Sequence, residues 1–289
     1  MTTIAERSES DAQTAYRVET PLVWAGRTAF QDVVIADSAA YGRMLFLDGE
    51  LQSAAADEAI YHECLVHPVM AAYGRAGARV LVVGGGEGAT VRELLKWRPA
   101  AVDWVDIDGE LVELCERWLG WAPEARSDPR VRFFAEDIRA VIPRLREGGG
   151  YDVIVLDLPD PDGESGWLYS AEFWTAMRGL LRAGGGGRIV SHCGPVHPWG
   201  RVGEGFQRLV GEMGVGGFYH VGIPSFQGEW GFLVWGDGVP ALTDTPYFPD
   251  SLRVVDRALV ESWGRVRLWR EAILASAKQI AVEAAKLEE

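Results

Sequence analysis

The segment "VLVVGGGEGATVREL", residues 80–94, constrains this chain more than any other. A short apolar run leads straight into a glycine cluster, and an amphipathic pattern follows. Such a run bounded by glycine reads as a buried strand, and the segment after it reads as a helix. Strand, glycine loop and helix bring backbone N–H groups close to a ligand at a helix N-terminus. Gly84, Gly86 and Gly88 give a G-x-G-x-G spacing, which several nucleoside ligands can use. Glu87 separates those ligands: a dinucleotide pyrophosphate would lie beside a carboxylate and be repelled, whereas a sulfonium or ammonium ligand would be attracted.

The segments that follow alternate strand and helix. "AVDWVDID" precedes "GELVELCERWL", "RVRFFAED" precedes "IRAVIPRL", "YDVIVLDL" precedes "SAEFWTAMRGLLRA", and "GRIVSHCG" is a fifth strand. Apolar strands alternating with helices indicate a parallel, doubly wound α/β sheet. "VGGFYHVGIP" and "WGFLVWGD" read as a closing strand pair, and the last 35 residues read as mostly helical. Upstream the period changes. Residues 1–15 read as a mobile tail. Residues 16–52 read as an antiparallel meander, with turn signals at Ala25-Gly26, Asp37-Ser38 and Asp48-Gly49. "ADEAIYHECLVHPVMAAY" then takes helical spacing, with Ile60, Cys64, Leu65 and Val69 on one stripe. The expected division is a tail and small β-domain over residues 1–57 and a Rossmann-like catalytic domain, of the class I methyltransferase type, over residues 58–289.

Composition removes several function classes. A net charge of −14 argues against nucleic acid as a partner, because phosphate contact needs basic surface. Cys64, Cys115 and Cys193 are widely spaced and odd in number, which fits neither a disulfide framework nor a zinc site. The polar N-terminal stretch has no signal-like apolar core, and no apolar run approaches the roughly 20 residues of a membrane span. The expectation is a reduced, cytoplasmic protein without a metal or membrane partner.

Acidic residues recur at the strand ends. Asp106 closes the second strand and suits a ribose diol. Asp137 closes the third, where it would accept from an adenine amine. Each could equally be a helix N-cap, but the set together with the glycine loop favours a nucleoside site. The fourth strand ends in "LDLPDPDG", which offers Asp157 and Asp160 as a base and a cation holder.

The motifs "FQD", "LDGELQS…DE..YHE", "GGGEG", "DID", "ED", "D.PDP" and "IPSF…WGF" follow one another in an order that resembles the polyamine aminopropyltransferases, the spermidine, spermine and thermospermine synthases. The likeness runs from about Tyr16 to Asp237 and is nearest to the thermospermine synthases. It implies transfer of the aminopropyl group of decarboxylated S-adenosylmethionine onto an amine of spermidine or putrescine, with methylthioadenosine as the second product. It also implies a homo-oligomer, a dimer or tetramer. By resemblance, Gln31, Glu87, Asp106 and Asp137 hold the sulfonium nucleoside beside Gly84 and Gly86. Asp157 with Tyr61 activates the attacking amine. Gln52, His62, Asp160, Phe226 and Trp230 line the acceptor cleft, and Glu58 and Glu63 add anionic walls. Asp57, Glu50 and His67 read as a solvated helix start. The chain departs from the family pattern in "ESGWLYS", where Trp167 would stand near the acceptor. It departs again at His192, where glutamine is usual, and in the glycine-rich turn "RAGGGGR".

The main alternative is an amine N-methyltransferase using ordinary S-adenosylmethionine on the same scaffold. It would need a cation for the methionine carboxylate, and Arg92 is the candidate. An NAD(P) oxidoreductase is disfavoured by Glu87. A non-catalytic polyamine binder is disfavoured by the intact acid at Asp157.

Overall fold

The computed structural model describes residues 1–6, 14–159, 163–184, 186–196, 217–236 and 247–263. Strands β1 (Thr2–Ala5) and β2 (Ala15–Val18) form an antiparallel pair. The start of the expected tail is therefore ordered by β-pairing, from Thr2 opposite Val18 to Ala5 opposite Ala15. A four-stranded antiparallel sheet follows, with β3 (Trp24–Arg27), β4 (Asp32–Ser38), β5 (Gly42–Leu47) and β6 (Glu50–Ala54) in sequence order.

Two expected turns move. Ala25-Gly26 lies inside β3, and the reversal comes at residues 28–31, where Thr28 N–H donates to the Gln31 carbonyl. Asp37-Ser38 ends β4 rather than turning. Asp48-Gly49 does turn, with φ of 50° and 88°, the positive pair that a two-residue hairpin requires.

Helix α1 (Glu58–Tyr73) crosses to the second unit. There β7 (Arg79–Gly84), α2 (Ala89–Leu95), β8 (Ala101–Asp106), α3 (Gly109–Trp118), β9 (Val131–Ala135), α4 (Ile138–Arg146), β10 (Val153–Asp157), α5 (Ala171–Gly179) and β11 (Arg188–Val196) alternate as expected. β12 (Gly217–Ile223) and β13 (Gly228–Trp235) add the antiparallel edge, and α6 (Arg257–Trp263) is the last described element; the rest of the expected C-terminal helical stretch lies outside the described residues. The sheet order is β12-β13-β11-β10-β7-β8-β9. The chain leaves β7 toward β8 and β9, then returns on the other side as β10. The switch point therefore lies between β7 and β10, where open α/β sheets bind ligands.

Alternation along the strands shows why their apolar runs are unbroken. Val80, Val82, Val153 and Val155 pack with α1 and α2 residues on one face. Leu81, Val83, Ile154 and Leu156 pack with α4 and α5 residues on the other. The small sheet rests on α3, through Val33, Ile35 and Leu45 against Leu111 and Cys115. Asp108 and Ser170 cap α3 and α5 by accepting from Leu111 and Phe173 N–H. Among the described residues no helix is long and apolar enough to cross a membrane.

Helix α1 is buried almost all round, so its polar residues are buried too. Glu63 is fully buried. Its carboxylate accepts from the N–H groups of Arg253, Val254 and Val255 at 2.8, 2.8 and 2.9 Å, tying the segment before α6 to the helix. It therefore supplies no wall to an acceptor. His67 is not solvated either: it accepts from the Trp97 indole at Nδ1 (2.7 Å), so its proton sits on Nε2, against Glu93 at 2.8 Å. Glu63→Ala would leave backbone donors unpaired. The expected loss is about 2 to 3 kcal/mol of unfolding free energy, read as a lower denaturant midpoint at unchanged slope.

Candidate active site

Asp157 at the end of β10 is in register with Gly84 at the end of β7. The two strand ends meet so closely that a Cβ on Gly84 would stand 2.0 Å from the Asp157 carbonyl oxygen, and one on Gly85 2.8 Å from Asp157 Oδ2. Gly85 N–H donates to that carbonyl at 2.9 Å. Only glycine lets the loop lie here.

Two hydroxyls hold the Asp157 carboxylate. Tyr61 of α1 donates to Oδ1 at 2.7 Å, and Thr90 of α2 donates to Oδ2 at 2.6 Å. Burial, followed by the adjacent Asp157 charge, pushes the Tyr61 phenol well above its usual range, so it stays a proton donor. Each carboxylate oxygen keeps a second lone pair for another hydrogen. Thr90 was not anticipated from the sequence; a hydroxyl in the first turn after a glycine loop is its only signal.

The next residue along α1 serves Glu87. His62 is 1% exposed. Its Nδ1 faces Glu58 (2.7 Å to the carbonyl, 3.2 Å to Oε2), and its Nε2 faces Glu87 Oε2 at 3.3 Å. Burial opposes charge on the ring, but hydrogen bonding and attraction from the two carboxylates outweigh it and raise the pKa to about 10. His62 is thus an imidazolium that meets the cleft through Glu87 rather than by lining it. Glu87 Oε1 is buried without a hydrogen-bond partner.

Glu58 does not wall the cleft as expected. It is buried and bound by Arg92 at 2.8 Å, by His62 and by Arg253. Arg92 also contacts Glu93 at 2.8 Å and the Trp121 carbonyl at 3.1 Å. That engagement takes away the cation the N-methyltransferase alternative required.

On the β8 side, Asp106 accepts from Asp108 N–H at 2.9 Å and lies 3.3 Å from where a Gly86 Cβ would be. Asp108, which also went unread, caps α3 and accepts from Thr28 Oγ1 at 2.6 Å and from Gln31 Nε2 at 2.8 Å. The reversal carrying Gln31 is thereby fixed to the start of α3. Asp137 caps α4, accepting from Arg139 N–H at 2.8 Å, and pairs with that residue's guanidinium at 2.5 Å. Trp167 packs on Phe173 under the Arg139 guanidinium, on the Asp137 side of the sheet edge.

An aromatic wall stands on the other side of Asp157. Tyr61 lies 6.3 Å from Phe226 and 5.9 Å from His192 between ring centroids, and Phe226 lies 4.7 Å from Trp230. His192 stacks on Trp230 and places Nε2 2.6 Å from the Leu158 carbonyl, so Nε2 carries the proton. His192 Nδ1 and Trp230 Nε1 are buried without partners. Gln52 is half-buried on β6, which packs against the 224–226 turn. Asp160 lies outside the described residues.

A doubly wound sheet with carboxylates around a glycine loop at its switch point defines the class of nucleoside-binding α/β proteins, here with a site suited to a cationic ligand. Its family follows from comparison with known proteins. The chain belongs to the spermine/spermidine synthase family: the Spermine/spermidine synthase domain profile matches residues 58–238, and the Spermidine synthase tetramerisation domain profile matches residues 4–54. Polyamine aminopropyltransferase 2 of Pseudomonas aeruginosa is 37% identical over 273 residues, 90% of this chain and 74% of that protein. Polyamine aminopropyltransferase 2 of Hyperthermus butylicus is 38% identical over 220 residues, 74% of this chain and 70% of that one. A crystal structure of spermidine synthase with the transition-state analogue AdoDATO superposes with a TM-score of 0.80 at 20% identity, covering 94% of each chain. The protein is a polyamine aminopropyltransferase that uses decarboxylated S-adenosylmethionine.

The acidity of Asp106 gives this site a pH signature. Burial, then repulsion from Asp108, Asp157 and Glu87, raises its pKa to about 7, although the Asp108 N–H opposes the shift. Diol hydroxyls would donate to the carboxylate form, so binding them expels a proton wherever Asp106 is protonated. Methylthioadenosine affinity is expected to climb as pH rises toward about 7 and to level off above it. Calorimetry in buffers of different ionisation enthalpy reads the proton released, and Asp106→Asn flattens the dependence.

Proposed function

We propose that the chain transfers the aminopropyl group to spermidine, giving a tetraamine of the thermospermine type, with Asp157 as general base. The observation that carries this reading is a carboxylate gripped by Tyr61 and Thr90 at the sheet's switch point, beside the unpartnered oxygen of Glu87. An ammonium on the donor's aminopropyl arm would satisfy that oxygen. Asp106, with Gln31 nearby through Asp108, would take the ribose, and Asp137 the adenine. Phe226, Trp230 and Gln52 would line the acceptor side. His62 acts by holding Glu87.

The chemistry asks for a base and not for an acid. The amine nitrogen attacks the carbon bound to the sulfonium, the C–S bond breaks, and methylthioadenosine leaves as a neutral thioether. The difficulty is the nucleophile. An alkyl amine with a pKa of about 10 is neutral in only about one part in a thousand at pH 7, a penalty of roughly 4 kcal/mol. A carboxylate that takes its proton lowers that barrier directly. We read residues 1–57 as the unit through which the enzyme assembles, as a tetramer, and residues 58–289 as the catalytic unit; the match to a tetramerisation domain over residues 4–54 supports this.

Mass spectrometry of reactions containing decarboxylated S-adenosylmethionine and putrescine, spermidine or cadaverine tests the acceptor. The expected result is a tetraamine from spermidine, and turnover of putrescine alone would overturn it. Asp157→Asn should lower turnover about 100- to 10,000-fold, with partial recovery at high pH, where the amine is already neutral. Methylthioadenosine affinity should change far less. Near-normal turnover without pH dependence would remove the base assignment.

A further inference from the structure

Ser225 precedes Phe226 in the short turn Pro224–Phe226 between β12 and β13, and it is 1% exposed. Residues from the N-terminal part of the chain hold all three of its polar groups. Its N–H donates to Asp57 Oδ2 at 2.7 Å, and its hydroxyl donates to Asp57 Oδ1 at 2.9 Å. Its carbonyl accepts from Tyr16 Oη at 2.8 Å.

Asp57 occupies the N-cap position of α1, yet its side chain caps nothing there. An N-cap aspartate ordinarily accepts from the helix's own second or third N–H. Here both oxygens reach a residue 168 positions away. The expected solvated helix start is instead a buried clamp, with Asp57 5% exposed. Tyr16 is supported in turn by Glu6, which also accepts from Leu51 N–H at 2.9 Å. Strand β2, strand β6 and the start of α1 therefore converge on one residue.

The consequence lies one residue further on. The Phe226 ring packs on Trp230 and meets Tyr61, and Gln227 closes the turn at φ 55°. Tyr61 sits one helical turn after Asp57, so the same clamp ties the ring that reaches Asp157 to the ring opposite it. Sliding the turn would break the buried hydrogen bonds that the Ser225 N–H and hydroxyl make to Asp57.

We infer that Asp57 and Tyr16 are positioning residues: by latching Ser225, they set where Phe226 and Trp230 stand against Tyr61, and so set the length of acceptor amine the crevice accepts. This rests on the acceptor-side reading of Phe226 and Trp230 above.

The test compares Asp57→Ala, Asp57→Asn, Tyr16→Phe and Phe226→Ala in the full-length enzyme. The readouts are kcat and KM for spermidine and for putrescine at saturating donor, methylthioadenosine affinity by calorimetry, and melting temperature. Asp57→Ala should raise the spermidine KM about tenfold and shift the spermidine-to-putrescine ratio of kcat/KM about fivefold, with methylthioadenosine affinity within about twofold of wild type. Asp57→Asn should recover most of the loss, because its amide oxygen can accept the Ser225 N–H while its NH2 donates to the hydroxyl. Tyr16→Phe should move the ratio the same way by less, and it carries the test if Asp57→Ala fails to fold. A lower melting temperature with an unchanged ratio in both Asp57→Ala and Tyr16→Phe would overturn the latch. If Phe226→Ala leaves the spermidine KM unchanged, the acceptor-side reading itself fails; if that variant raises KM while the latch variants do not, the latch alone fails.

Discussion

The contact between the ends of β7 and β10 is what the remaining site geometry depends on. Gly84 and Asp157 are register partners at the switch point, and no side chain fits between them. That approach lets the glycine loop turn directly past the Asp157 carboxylate and start α2, whose first turn supplies Thr90. It also leaves Asp157 projecting where α1 crosses the sheet, within reach of Tyr61. A bulkier loop would separate Asp157 from both hydroxyls that orient it. The loop's glycines therefore serve the Asp157 carboxylate as much as any grip on a nucleoside, a role their spacing alone does not reveal.

Close approach also concentrates negative charge. Asp108, Asp157 and Glu87 add to the cost of ionising the buried Asp106, visible in its upward shift. At about 4 Å and an effective dielectric of about 20, a pair of like charges costs about 4 kcal/mol. His62 offsets part of this as a fixed cation between Glu58 and Glu87. A sulfonium donor and a polyamine supply the rest. In the proposed transfer the positive charge moves from sulfur to nitrogen, toward Asp157, and the thioether that remains is neutral.

The sheet was legible because its period is strong. Unbroken apolar runs such as "VLVV" and "VIVL" read as strands covered on both faces, and the packing of alternate residues shows that cover. The pairing of Tyr61 with Asp157 agrees with the resemblance on which the two were named together. What escaped was long-range partnership. Nothing near Asp57 in sequence marks it for Ser225, and nothing near Glu63 marks it for residues 253–255. Polar residues at a helix start look solvated when the neighbours that bury them lie 150 or more residues away. Asp137 shows the opposite limit: its local cap pattern was plain, and the structure uses it that way.

These buried partnerships explain why α1 carries so many polar groups. A helix enclosed on nearly every side cannot leave them in water, so each must find a partner. Glu58 takes Arg92, His67 takes Trp97 and Glu93, Glu63 takes the chain before α6, and Asp57 takes Ser225. Each partnership fixes α1 to a different part of the fold. Tyr61 and His62 sit among these anchors with little freedom to shift, one directed to Asp157 and the other to Glu87. The proposed general-base catalysis would demand this rigidity, since a misplacement of about 1 Å can cost about a hundredfold in rate. The acids that first look like walls for a cation are largely the fastenings that hold the phenol and the imidazolium in place.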